Sequence, residues 1–166
     1  MLISLKPSQN VIRAIQSLLK TSYMGKVSNI LRAKGDIIYT VAPDTLVFEA
    51  LEMMLEKNVS ALVVLENERL AGIFTERDYA REMILQGKSS RDTLISEVMT
   101  EDLITVSPDY AIDDCMRLMT NRFIRHLPVV ENDQLIGIIS IGDVVKYIIE
   151  EQRFIIVNME HYITGI

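Results

Sequence analysis

The fold is decided by a stretch of 45 residues that occurs twice in the chain. Residues 40–84 read TVAPDTLVFEALEMMLEKNVSALVVLENERLAGIFTERDYAREMI, and residues 105–149 read TVSPDYAIDDCMRLMTNRFIRHLPVVENDQLIGIISIGDVVKYII. Shifted by 65 residues, the two stretches align without a gap and share 14 identical positions. Chance similarity does not run that far without a gap, so the chain contains an internal duplication.

Both copies predict the same order of elements, βαββα. Apolar residues at helical spacing follow a short strand and a Pro-Asp turn, and two apolar runs then flank a turn that contains Asn67 or Asn132. Asparagine tolerates the left-handed backbone of a tight turn, which indicates a hairpin. A last helix begins near Thr75 or Ser140. The predicted strands are 37–41, 61–65 and 70–74, matched by 102–106, 126–130 and 135–139, and the predicted first helices are 45–57 and 110–122.

The duplication predicts an α+β protein in which two repeats share one body. A unit of about 55 residues with three strands cannot cover both faces of its sheet. Two units that pack about a pseudo-twofold axis can, and they leave two related clefts between them. We divide the chain into an N-terminal helical extension (1–26), repeat 1 (27–91), repeat 2 (92–150) and an apolar C-terminal tail (151–166).

Composition narrows the class of protein. The 166 residues carry a net charge of −6, which argues against nucleic acid as the main partner. No apolar run approaches the roughly 18 to 20 residues that span a bilayer, so no membrane association is expected.

Residues 1–35 hold six basic residues and no acid. An amphipathic N-terminal helix is the favoured interpretation, with a cytoplasmic location, and a mitochondrial transit peptide is the alternative. The helix would align Val11, Ile12, Ile15, Leu18 and Leu19 on one face.

Catalytic and metal chemistry find little support in the sequence. The single cysteine, Cys115, lies at helical spacing among apolar residues and is expected to be a buried thiol. One cysteine and two distant histidines give no standard zinc spacing. The chain has no Gly-rich P-loop and no evident nucleophile–base set. We therefore expect no enzyme, no metal site and no catalytic cofactor.

One motif stands at the start of the last helix in each copy. Residues 72–78 and 137–143 both read Gly, two apolar residues, a hydroxyl, two variable residues and Asp. A hydroxyl residue with an acid three positions later is a helix-capping pattern, which explains the motif by structure alone. The same geometry suits a nucleotide, because a helix N-terminus attracts phosphate and a nearby carboxylate binds ribose hydroxyls. Both interpretations stay open at this point.

The copies differ where the hairpin begins. Repeat 2 has the adjacent potential cations Arg125 and His126, a possible phosphate clamp. Repeat 1 has Val59, Ser60 and Ala61 there, small uncharged residues that leave room for a base.

Taken together, the motifs resemble a tandem pair of cystathionine-β-synthase (CBS) domains over residues 27–150. Within that superfamily the chain is most similar to small stand-alone CBS pairs, which share its Gly72–Tyr79 run, its Arg125–Val129 strand and a tail like Glu151-Gln152 followed by 160–163. The resemblance implies a regulatory module that binds AMP, ATP, NAD(H) or S-adenosylmethionine between the repeats.

The resemblance also implies residue roles in two clefts. One cleft would use Thr40, Val59, Ser60 and Ala61 around the base, Asp143 on the ribose, and Ser140, Arg125 and His126 near phosphate. The other would use Thr105 and the backbone of Ile124 to His126 near the base, Asp78 on the ribose, and Thr75 and Arg77 near phosphate. Because Arg125 and His126 were assigned to the Asp143 cleft, we expect that cleft to bind an anionic nucleotide more tightly.

The expected function is the sensing of energy or redox state through an adenine nucleotide, with the signal passed to a regulated partner protein. A homodimer is expected, because the helices carry more apolar surface than one pair of sheets can cover, and 154–157 add four apolar residues in a row. The alternative is a ligand-free interaction scaffold whose clefts stay empty.

Overall fold

The computed structural model describes residues 25–35 and 37–164, together with Gln9 and Arg13, which are both helical and exposed. The apolar face predicted for the N-terminal helix lies outside the described residues. Within the described part, no helix combines the length and the apolar character needed to cross a membrane.

Repeat 1 begins with a short helix, α1, and continues in the predicted βαββα order. Strand β1 pairs in parallel with β2, and β2 pairs antiparallel with β3. The first strand is shorter than the predicted 37–41. The elements are α1 (Val27–Lys34), β1 (Thr40–Val41), α2 (Val47–Lys57), β2 (Ala61–Glu66), β3 (Arg69–Thr75) and α3 (Glu76–Asp78), which continues as a π-helical segment, Tyr79–Ile84.

Repeat 2 repeats this arrangement with its first strand reduced to one parallel bridge, between Val106 and Val129. Strands β4 and β5 form an antiparallel hairpin. The mixed architecture of two repeats confirms the predicted α+β fold class. The elements of repeat 2 are α4 (Ile112–Arg122), β4 (His126–Glu131), β5 (Gln134–Ser140) and α5 (Ile141–Thr164).

The two hairpin turns are left-handed at both central residues, as a two-residue turn between twisted strands requires. The φ angles are 49° at Asn67 and 64° at Glu68 in repeat 1, and 50° at Asn132 and 61° at Asp133 in repeat 2. The sequence prediction of a hairpin at each asparagine is confirmed.

The leading segments of the two repeats cross over, and each packs on the opposite repeat. Val27 and Ser28 donate their backbone N–H groups to the carbonyls of Tyr110 and Pro108, at 3.0 and 2.9 Å. The matched pair behaves the same way: the amides of Ile95 and Ser96 donate to Thr45 and Pro43, both at 2.9 Å. The repeats are therefore interlocked rather than placed side by side.

The hydrophobic cores reflect this crossover. Val27 and Ile30 of α1 are buried in the core of repeat 2, whereas Ile95 and Val98 are buried in the core of repeat 1. Cys115 lies in the repeat 2 core and is fully buried, as predicted. Burial, reinforced by the neighbouring charge of Asp114, raises the pKa of its thiol to about 11.

The C-terminal residues continue helix α5 without a break, so the predicted boundary between 150 and 151 falls inside one helix of 24 residues. The sequence contains neither Gly nor Pro between Asp143 and Thr164, and nothing there ends the helix. This helix carries exposed apolar side chains on both sides of that boundary, among them Ile149 and Phe154.

Candidate functional site

The hydroxyl and the aspartate of each helix-start motif cap their own helix. In repeat 1 the Asp78 carboxylate accepts hydrogen bonds from the Thr75 amide at 2.9 Å and the Thr75 hydroxyl at 2.7 Å, and the Asp78 amide returns one to that hydroxyl at 3.3 Å. In repeat 2 the same bonds join Asp143 and Ser140 at 2.8, 2.8 and 3.2 Å. Capping is thus part of what the motif does in both copies.

The helix starts offer fewer free amides than the sequence prediction assumed. The first amide of α3, at Glu76, donates to the Ser60 carbonyl at 3.2 Å, and that of α5, at Ile141, donates to the Arg125 carbonyl at 2.8 Å. The amide of Asp143 is taken by Ser140. An anion bound here must therefore rely on side-chain cations more than on the backbone.

A cleft of about 490 Å³ opens between the repeats beside Asp78. Helix α3 and β3 of repeat 1 form one wall, and the loop into β4 of repeat 2 forms the other. The segment after the crossover closes the third side. The lining residues are Ser60, Ile73, Thr75, Glu76, Arg77, Asp78, Arg81, Thr100, Asp102, Leu103, Ile104, Arg122, Phe123, Ile124, Arg125, His126 and Pro128.

Four arginines line this Asp78 cleft, two from each repeat: Arg77, Arg81, Arg122 and Arg125. The guanidinium of Arg77 donates to the backbone carbonyl of Phe123 and so ties α3 to the opposite repeat. Phe123 ends helix α4 in a left-handed conformation, with φ of 55°, and its ring is 78% exposed at the cleft. Three acids, Glu76, Asp78 and Asp102, share the lining.

His126 lies at the base of the Asp78 cleft, where its Nε2 is 3.3 Å from the Ser60 hydroxyl. Burial lowers the pKa of His126 below its usual value, and the charge of Lys34 acts in the same direction. The carboxylates of Asp143 and Asp78 oppose that shift and leave a net lowering. The imidazole is therefore neutral at pH 7 in the ligand-free protein.

Asp143 has a partner that the sequence did not reveal. The ammonium of Lys34, at the end of α1, lies 2.8 Å from Asp143 Oδ2 and 3.2 Å from the carbonyl of Ile138. Burial alone would raise the pKa of Asp143, but the hydrogen bonds from Lys34 and Ser140 outweigh it and hold that pKa below its usual value.

The structure brings seven of the predicted ligand-binding residues into the Asp78 cleft: Ser60, Thr75, Arg77, Asp78, Ile124, Arg125 and His126. The resemblance implies the side chains of Ser60, Arg125 and His126 for the Asp143 cleft and the backbone of Ile124 to His126 for the Asp78 cleft. All of these residues line the Asp78 cleft, where the Ser60 hydroxyl lies 3.3 Å from His126 Nε2. The other predicted residues are not among the lining residues described for this cleft: Thr40, Val59, Ala61, Thr105, Ser140 and Asp143.

Sequence reasoning missed the segment that follows the crossover. Thr100, Asp102 and Ile104 line the cleft, and the Thr100 hydroxyl lies 3.4 Å from Asp78 Oδ1. The match of Ile95-Ser96 to Val27-Ser28 was the available signal, but it did not indicate which repeat the segment joins. Among the described residues, no three His, Cys, Asp or Glu side chains cluster in a way that could hold a metal ion.

Comparison with known proteins decides the family. The CBS domain family model matches residues 27–85 and again residues 95–150. The chain belongs to the CBS domain family. It is 41% identical over 149 residues to the CBS domain-containing protein CBSX3, mitochondrial, of Arabidopsis thaliana, a match that covers 84% of this chain and 72% of the plant protein. It is 37% identical to the CBS domain-containing protein YhcV of Bacillus subtilis, covering 64% of this chain and 75% of that one.

Solved structures agree with this CBS pair. A putative signal-transduction protein with CBS domains from Burkholderia ambifaria superposes with a TM-score of 0.75 at 46% identity, covering 77% of this chain and 96% of that chain. The CBS domain pair of protein MJ0100, solved in complex with 5′-methylthioadenosine and S-adenosyl-L-methionine, superposes with a TM-score of 0.66 at 26% identity, covering 74% of this chain and 94% of that one.

Proposed function

We propose that the Asp78 cleft binds an adenine nucleotide of the AMP, ATP or NAD(H) kind, and that the CBS pair senses this ligand without transforming it. One observation carries the proposal: a single cleft places Arg125 of repeat 2 opposite Arg77 and Asp78 of repeat 1. The adenosine ligands of the MJ0100 pair support the ligand class.

The chemistry of the cleft fits the two polar ends of a nucleotide. A carboxylate such as Asp78 accepts hydrogen bonds from the two hydroxyls of a ribose. Guanidinium groups bind phosphate through paired, charge-assisted hydrogen bonds. The cleft volume of about 490 Å³ lies in the range of small-molecule sites. Apolar Ile73, Ile104 and Ile124 leave a surface for the base.

Sensing follows from the position of the ligand between the repeats. A nucleotide that contacts both α3 and the start of β4 binds best to one relative placement of those elements and shifts the population toward it. We propose that a partner protein, as yet unidentified, reads that change. The proposed compartment is the cytoplasm, with the mitochondrion named for the plant relative as the alternative.

The proposal reverses the expected order of the two clefts. Arg125 and His126 are the reason to expect tighter binding beside Asp143, and both residues line the Asp78 cleft. We therefore assign the tighter binding to Asp78.

The test measures the thermal stability and the heat of binding of the full chain with AMP, ATP, NADH and S-adenosylmethionine. A nucleotide at 100 times its dissociation constant should add about 2.7 kcal/mol of stability and raise Tm by about 5 to 11 °C. Asp78→Ala should abolish the shift. Arg125→Ala should weaken AMP roughly tenfold to a hundredfold and leave adenosine almost unchanged, because adenosine has no phosphate.

Arg69→Ala is the matched control, since it removes the same charge from the exposed first residue of β3, outside the cleft. The nucleotide should be recovered chemically unchanged after incubation. If none of the four ligands shifts Tm at millimolar concentration, the ligand-free scaffold replaces the sensing proposal.

A further inference from the structure

The two helix-start motifs are built alike but meet opposite charges. At Asp143 the neighbouring segment supplies Lys34, whose ammonium binds Asp143 Oδ2 and the Ile138 carbonyl. Helix α1 holds it there because Leu31 lies on Gly137, where an added Cβ would come within 2.6 Å of a Leu31 methyl carbon. The last turn of α1 therefore lies beside the start of α5.

At Asp78 the equivalent contact is made by Met99 on Gly72, where an added Cβ would come within 2.7 Å of the Met99 sulfur. Lys34 stands three residues after Leu31, and the residue three positions after Met99 is Asp102. Asp102 lines the open cleft. Helix α1 continues to Lys34, whereas the chain after Met99 leaves the helical path and Thr100 pairs with Ile73. The leading segment of repeat 2 therefore brings an acid to the Asp78 cleft, and that of repeat 1 brings a base to Asp143.

This difference decides what each aspartate can accept. Asp78 accepts hydrogen bonds from Thr75 and Thr100 and forms no ion pair within the described residues. Asp143 already carries the Lys34 ammonium, and the two side chains are only 24% and 36% exposed. A ribose diol would have to displace the Lys34 ammonium from Asp143 and so exchange an ion pair for hydrogen bonds from neutral hydroxyl donors.

We propose that Lys34 is a specificity-determining residue that closes the Asp143 position, so that each chain binds one nucleotide, in the Asp78 cleft. The Lys34 ammonium occupies the Asp143 carboxylate, to which the ribose hydroxyls of a nucleotide would otherwise donate. The proposal rests on the function proposed above and adds which of the two related positions carries it out.

The experiment counts the molecules of AMP bound per full chain by isothermal titration calorimetry. The wild type should bind one. Lys34→Met, which keeps an unbranched side chain of similar length and removes its charge, should bind two, and Asp143→Ala in that background should return the count to one. Lys34→Arg keeps the cation and should bind one. Arg32→Met removes the same charge from an exposed position of the same helix and should also bind one.

The outcomes separate this inference from the function on which it rests. If the wild type binds two molecules of AMP, or if Lys34→Met binds one with unchanged affinity, the proposed role of Lys34 is wrong. Either result is compatible with the Asp78 site. Weaker binding in Lys34→Met also overturns the role of Lys34, because Lys34 would then help to hold the ligand. If neither the wild type nor Lys34→Met binds AMP, both proposals are wrong. The Tm of every variant checks that it is folded.

Discussion

His126 is half-buried, and the carboxylates of Asp78 and Asp143 both act on its pKa. The protonation of its imidazole should therefore respond to a charged ligand. Burial lowers its pKa, and the charges of Lys34 and Arg125 add to that effect. A bound phosphate adds negative charge beside the ring and favours the imidazolium. AMP should therefore raise the pKa of His126 from below 6.5 toward or above that value.

Proton NMR titration of the histidine ring signals measures this shift, with His126→Asn to assign one of the two histidines of the chain. A pKa that stays constant or falls when AMP saturates the protein contradicts the placement of phosphate near His126.

The imidazole of His126 also affects the stability of the ligand-free protein. Since the unfolded chain takes up a proton near pH 6.5 and folded His126 takes it up only at lower pH, His126 makes the protein less stable as pH falls through that range.

At the scale of elements, the crossover of the two segments depends on a glycine in each last strand. At Gly72 an added Cβ would meet the Thr100 carbonyl at 3.0 Å as well as the Met99 sulfur, and this carbonyl is fixed by its hydrogen bond from Ile73. At Gly137 the neighbour is the flexible end of Leu31. The two strands are related by sequence, but a Cβ added at Gly72 would meet a backbone carbonyl, whereas one added at Gly137 would meet a side chain.

Gly72→Ala should therefore lower the free energy of unfolding by about 1 to 3 kcal/mol, and Gly137→Ala by clearly less, because Leu31 can rotate away. Urea unfolding measures both. Gly142→Ala is the control: its nearest neighbour is the Ser140 hydroxyl at 3.5 Å, an ordinary contact, and a helical alanine should add about 0.5 to 1 kcal/mol. Equal losses at Gly72 and Gly137 would show that the carbonyl is not the obstacle.

Across the whole molecule, apolar side chains remain exposed along helix α5. Ile149 and Phe154 are 46% and 63% exposed, and Ile84 in repeat 1 is 63% exposed. Ile141, Val145 and Ile149 are spaced by four residues and share one face of α5, and exposed apolar side chains grouped in this way are typical of interaction surfaces. The exposed apolar residues of α5 are Ile141, Val145, Ile149, Phe154, Ile156 and Val157.

We expect this α5 surface to join two copies of the chain. Light scattering during size-exclusion chromatography should give about twice 18.9 kDa at tens of micromolar. Val145→Glu combined with Ile149→Glu should shift the protein to monomer, because charges would be buried at the contact. Ile37→Glu, at another exposed apolar residue, should leave the mass unchanged. A wild-type monomer would refute the dimer.

The sequence by itself determined the duplication, the order of elements, the hairpin turns at Asn67 and Asn132 and the capped helix starts. Each of these is a local or periodic pattern, set by residues a few positions apart, and the duplication displays it twice. The resemblance to CBS pairs also pointed to Asp78 and Arg125 as ligand-binding residues, although it assigned the Arg125 side chain to the Asp143 cleft.

Only the tertiary structure decided how the two repeats exchange their leading segments, and therefore which residues meet. Lys34 and Asp143 are 109 residues apart along the chain, and no spacing rule connects them. Their contact exists because α1 packs on repeat 2, where Val27 and Ile30 are buried and Leu31 lies on Gly137. The same crossover brings Thr100 and Asp102 to Asp78, and so it makes two similar motifs into unlike sites.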